Sequence, residues 1–98
     1  MTAYLIAELE VTDPAAFERY KQISGATIAA HGGRFIVRGG AAEPLEGGWV
    51  PKRIVVVEFP SMEAAKRWYR SAEYAPGIAI RQAASVGRSI LVEGGSPA

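Results

Sequence analysis

The chain contains no cysteine and no asparagine, and its only aspartate is Asp13. The first absence excludes disulfide frameworks, thiol nucleophiles and thiolate metal sites. The second removes the side chain that acylphosphatase-type chemistry on a small α+β fold is expected to use. A Ser-His-Asp triad would have to spend Asp13, which is better placed as a helix cap. His31 is the only histidine, so a metal site would need carboxylates to complete it; neither a metal nor an organic cofactor is expected. An excess of charge of one sign is missing too. Eleven basic and ten acidic residues leave a net charge of +1, which gives no footprint for nucleic acid or a membrane surface. No apolar run approaches the ~18 residues of a membrane span. Met1–Glu10 lacks a basic n-region and carries Glu8 and Glu10 where a signal peptide is apolar, so the expected compartment is the cytoplasm. No phosphate-cradling glycine loop follows the first strand.

What is present is enough for one small domain, residues 1–94, with a loose tail over 95–98. A chain of 98 residues with 49% apolar content can form a core, but a thin one, and part of its burial is expected between subunits. Ala3 to Val11 alternates as a strand, with Leu5, Ala7, Leu9 and Val11 on one face. Asp13-Pro14 opens a helix whose stripe runs through Phe17, Tyr20, Ser24, Thr27, Ile28 and His31, and Gly32-Gly33 closes it. Arg34–Arg38 is a second strand, with Phe35 and Val37 opposed to Arg34, Ile36 and Arg38; Gly39-Gly40 permits a bulge or bend. Residues 41–51 read as a long irregular connection with Trp49 as its one large anchor. Lys52–Phe59 is a central strand, Ser61 caps a helix over Met62–Arg70, and Ser71 caps a further short helical piece through Arg81 and Ala84 that Pro76-Gly77 should kink or interrupt. Gly87–Glu93 is the last strand.

The order is therefore β-α-β-β-α-β. A shift of 48 residues superposes Glu10 on Glu58, Ala16 on Ala64, Arg19 on Arg67, Tyr20 on Trp68, and the caps Asp13 and Ser61. Two equivalent β-α-β units with right-handed crossovers give the α+β, ferredoxin-like arrangement: a four-stranded antiparallel sheet with its helices on one face. Leu9, Val11, Val57 and Phe59 then lie under the helices. Glu8, Glu10, Ile54, Val56 and Glu58 point the other way, together with Arg34, Ile36 and Arg38. A face that mixes apolar groups with both charge signs is best covered by a second copy, so a homodimer is expected, with Glu8, Glu10, Val56 and Glu58 in its interface.

Few residues remain for chemistry. His31 at a helix C-terminus is either an acid–base group or a packed, capping histidine. Glu10 and Glu58 on adjacent strands are either a carboxylate pair or are neutralised by Arg34 or Arg38. Tyr20, Trp68, Tyr69 and Tyr74 are either core or the lining of a flat-ligand pocket between helices and sheet. An RNA-recognition domain would need aromatics where the third strand has Ile54, Val56 and Glu58. The leading expectation is a dimer that binds a small hydrophobic or aromatic compound, working as a cofactor-free enzyme with His31 and Arg38 as its catalytic groups. The alternative is a non-catalytic ligand-sensing or interaction protein.

One set of motifs is also familiar as a series. His31-Gly32-Gly33-Arg34-Phe35 with Val37-Arg38-Gly39-Gly40, then Arg53 to Pro60, Trp68-Tyr69, Ser71, Glu73-Tyr74, Gly87-Arg88 and Leu91-Val92-Glu93-Gly94 resemble the domain of unknown function 1330 family. The resemblance spans Tyr4 to Gly94 and implies a dimeric α+β barrel, two such sheets packed face to face. The wider superfamily it resembles includes cofactor-free monooxygenases, lactone isomerases, haem enzymes and ligand-sensing domains. Pro76-Gly77 departs from the family pattern, which implies uninterrupted helix after Tyr74.

Overall fold

In the computed structural model, which describes residues 1–95, the alternating stretch Ala3–Val11 forms β1 and the capped segment Pro14–Ala30 forms α1. Most of the tail set apart at 95–98 lies outside the described residues. β2 (Arg34–Arg38) and β3 (Ile54–Phe59) follow, then α2 (Met62–Tyr69), α3 (Ala75–Ala84) and β4 (Ser85–Glu93). The sheet is antiparallel throughout, in the order β2-β3-β1-β4. This is the ferredoxin-like arrangement, with the echoing strands β1 and β3 adjacent at its centre. The two caps are equivalent in detail. Asp13 accepts from the Ala16 N–H at 3.2 Å, and Ser61, 48 residues later, accepts from the Ala64 N–H at 3.1 Å.

The helices cover one face only, so the chain is a slab of about 44 × 37 × 16 Å. Ala3, Ala7, Leu9, Val57 and Phe59 are buried from the sheet side, and Phe17, Ile28, Ala65, Trp68 and Tyr74 from the helix side. Gly32 ends α1 at φ +78°, where a residue with a side chain would be strained. None of the helices in the described residues is long and apolar enough to cross a membrane.

Several expectations are corrected. The further helical piece expected from Ser71 starts instead at Ala75, and Pro76-Gly77 neither kinks nor interrupts it. Pro76 sits in the first turn of α3, where its missing N–H costs nothing, so it starts a helix instead of breaking one. β4 begins two residues earlier than the sequence implies, at Ser85. The irregularity in β2 falls between Phe35 and Val37, ahead of the glycines. Phe35 pairs with Val57, but Val37 pairs with Val56 and Arg38 with Val55, so the extra residue turns Arg38 to the helix side. Arg38 therefore cannot neutralise Glu10 or Glu58. Nor do those two form a pair. Antiparallel register sets Glu58 opposite Tyr4 and Glu10 opposite Val86, which separates them by six strand residues, about 20 Å. Residues equivalent in the repeat land at opposite ends of adjacent antiparallel strands.

Candidate functional site

Two apolar clusters hold the helices to the sheet. One gathers Ile28, Val57, Phe59, Ala65, Trp68 and Tyr74; the other gathers Ala7, Leu9, Phe17 and Ala84. Members of both line a cavity of about 670 Å³ between the layers. The floor explains the space. Ala7 pairs with Ser89 and Leu9 with Gly87, so small side chains stand where large ones would reach the helices. Gly87 itself admits nothing larger, since a Cβ there would collide with the Glu8 carbonyl.

The helix wall is aromatic and held in place by hydrogen bonds. Thr27 donates to the Ile23 carbonyl at 2.7 Å and accepts from the Trp68 indole N–H at 3.0 Å. The Trp68 and Tyr74 rings lie 4.1 Å apart between centroids. The hydroxyls of Tyr20 and Tyr74 are 2.8 Å apart, and Arg81 Nη1 donates to the Tyr74 hydroxyl, also at 2.8 Å. Burial, reinforced by Tyr20, pushes the Tyr74 phenol well above the ordinary tyrosine range, and Arg81 only partly offsets this. Burial would lower the Arg81 guanidinium, but the facing phenols outweigh it and hold its pKa up. Arg81 is thus a fixed cation and Tyr74 a neutral phenol. Since Arg81 donates to Tyr74, the Tyr74 proton is free to go to Tyr20, which leaves the Tyr20 proton for a bound oxygen.

The sheet wall adds Phe35, with the Arg38 guanidinium 4.2 Å above its ring, and Arg53 from just before β3. Of the residues singled out in the sequence, Tyr20, Arg38, Trp68, Tyr69 and Tyr74 border this one cavity. His31 does not reach it. Its Nδ1 lies 2.9 Å from the Thr27 carbonyl at the end of α1, the packed and capping arrangement. Arg81, Arg53 and Phe35 were not among the expected site residues. Arg81 stands seven residues after Tyr74, two helical turns on, and Arg53 continues the odd-numbered face of Val55 and Val57; both spacings were there to read.

The opposite face of the sheet carries the remaining candidates. Glu8 accepts from Arg88 Nε at 3.1 Å and from the Trp49 indole at 3.0 Å, and Glu58 accepts from Arg34 Nε at 3.0 Å. Around them Val37, Val86, Ile90 and Val92 are exposed.

A four-stranded antiparallel sheet with its helices on one face makes the chain a ferredoxin-like α+β domain. Within that class the family is a specific one. The family described as domain of unknown function (DUF1330) matches residues 2–95, and the chain belongs to it. A protein of unknown function from Rhodopseudomonas palustris is 21% identical with a TM-score of 0.78, over 98% of this chain and 84% of that one. SnoaB, a cofactor-independent oxygenase from Streptomyces nogalater, is 17% identical with a TM-score of 0.66, over 98% and 95% of the two chains. A dimeric ferredoxin-like protein of unknown function from Thermobifida fusca is 17% identical with a TM-score of 0.60, over 93% and 89%. No curated protein matches the chain.

Proposed function

We propose that the protein is a homodimer in which each protomer binds a small hydrophobic or aromatic compound in the cavity and oxygenates it without a metal or organic cofactor. The observation that carries this reading is the 670 Å³ space walled by Phe35, Trp68, Tyr69 and Tyr74, with the Tyr20–Tyr74–Arg81 hydrogen-bond chain on its helix side. Its volume lies in the range of small-molecule pockets. Flat rings fit between the aromatic side chains, and a ligand oxygen can accept from the Tyr20 hydroxyl. Negative charge that develops on that oxygen is met by a phenol already backed by Arg81. Arg38 approaches from the sheet. Similarity in fold to a cofactor-independent oxygenase supports the choice of reaction. The dimer places Glu8, Glu10, Val56 and Glu58 in the shared interface, supported by the bare sheet face and by the dimeric neighbour.

Calorimetric titration with neutral naphthalene-2-carboxamide should show one saturable site per protomer. Oxygen uptake should then be measured with 1-naphthol. One O2 converts it to the 1,4-quinone and one water, so no other reductant is required. Binding without uptake would leave a ligand-sensing protein, and no binding would remove the pocket reading altogether.

A further inference from the structure

The charge around the cavity is one-sided. Lys21, Arg38, Arg53 and Arg81 border it, and among the described residues no aspartate or glutamate does. Two of these cations are already engaged. Lys21 sits on Glu18 at 2.9 Å, and Arg81 on the Tyr74 hydroxyl at 2.8 Å. Arg38 and Arg53 have no carboxylate within salt-bridge reach among the described residues. Both border the cavity, Arg38 from the end of β2 and Arg53 from just before β3. A Cβ at Gly39 would collide with the Arg53 guanidinium, so Arg53 lies against the residue that follows Arg38. Arg53 Nε is shut off from solvent and finds no hydrogen-bond acceptor among the described residues. A buried guanidinium N–H without an acceptor is costly, and natural proteins rarely leave one. Glu18 borders the small cleft on the far side of Arg53, but its carboxylate is turned to Lys21.

We propose that the compound held in the cavity is an aromatic carboxylate, with its ring among Phe35, Trp68, Tyr69 and Tyr74 and its charged end on Arg38 and Arg53. The planar fork of a guanidinium matches the two oxygens of a carboxylate, and a carboxylate supplies the acceptor that Arg53 Nε lacks. With no acidic side chain on the wall, nothing repels such an anion, and a cationic ligand would gain no partner. This assignment rests on the cavity being a ligand pocket, and the test keeps the two apart.

Three probes of one shape should be titrated by calorimetry at low salt: naphthalene-2-carboxylate, the neutral naphthalene-2-carboxamide and cationic 2-naphthylmethylamine. The carboxylate should bind about tenfold or more tighter than the amide, with the amine weakest. Arg53→Gln and Arg38→Gln should each weaken carboxylate binding more than amide binding, bringing the two to within about threefold of one another. If Arg53→Gln fails to fold, the charge series on the native protein and Arg38→Gln decide the matter. Equal affinity for carboxylate and amide in the native protein, or a preference that survives both substitutions, would overturn the anion site and leave the pocket standing. Failure of all three probes to bind would instead overturn the pocket.

Discussion

Tyr74 is the residue on which the site turns, because its hydroxyl joins Tyr20 from α1 to Arg81 from α3 and its ring packs on Trp68. Removing that one oxygen in Tyr74→Phe leaves Arg81 and Tyr20 without this partner. The expected cost is about 1–2 kcal/mol, a fall of about 5–10 °C in melting temperature for a domain of this size. The phenol also makes stability depend on pH in a definite direction. Its folded-state pKa is raised, so the unfolded chain gives up the proton first, near the ordinary value of 10.0. The contribution is complete below that pH and is lost above it, at about 1.4 kcal/mol per pH unit. Melting temperatures measured from pH 8 to pH 11.5 should fall more steeply above pH 10 in the native protein than in Tyr74→Phe. Parallel curves would show that Tyr74 ionises normally. The aromatic part of this site was legible in the sequence, since Tyr20, Trp68, Tyr69 and Tyr74 recur on helical faces. Its polar part was not. The only histidine drew the acid–base reading to His31, whereas the fold ties that ring to the Thr27 carbonyl and gives the hydrogen-bonding role to phenols and an arginine.

At the scale of elements, one added residue in β2 decides what the cavity contains. Alternation alone puts Arg38 on the same face as Arg34, and the structure obeys alternation through Phe35. The bulge at Ile36 then reverses the remaining residues, so Arg34 reaches Glu58 on the back of the sheet while Arg38 enters the cavity. A period-two pattern cannot reveal where a single residue is inserted, which is why the helix caps were legible and this face was not. The first crossover was readable because Asp13-Pro14 and Gly32-Gly33 mark both ends of α1. The second was misread because Pro76, taken for a helix breaker, is equally suited to a helix start. Gly39 completes the bulged edge. It adopts φ +74°, and its missing Cβ leaves the room that Arg53 occupies. Gly39→Ala should therefore cost about 1–3 kcal/mol from strain and displaced packing. Gly40→Ala, where a Cβ meets open space, should lie within about 0.5 kcal/mol of the native protein. Equal melting temperatures for the two variants would show that Arg53 does not depend on this glycine.

For the whole molecule the controlling fact is a slab 16 Å thick, covered by helices on one side only. Val37, Val86, Ile90 and Val92 are exposed on or near the uncovered side, while the carboxylates beside them are already paired: Glu8 with Arg88, Glu58 with Arg34. Neutralised charge lowers the cost of removing that face from water, and the apolar side chains supply the gain, at about 25 cal/mol for each Å² buried. The same face on a second copy is the partner that carries a matching surface of equal size. Light scattering at micromolar concentration should accordingly give twice the chain mass of 10.4 kDa. Ile90 provides the decisive substitution because it is 57% exposed in the single chain. An aspartate there stays solvated in a lone protomer, so Ile90→Asp should leave the secondary structure intact. In the dimer the same aspartate would leave water beside Arg88, which Glu8 already engages, at a cost of several kcal/mol in each protomer. The variant should scatter as a folded monomer with a lower melting temperature, because the apolar back of the sheet is again open to water. A dimer that survives Ile90→Asp with unchanged mass would place the interface elsewhere and leave the apolar side of the sheet to a different partner.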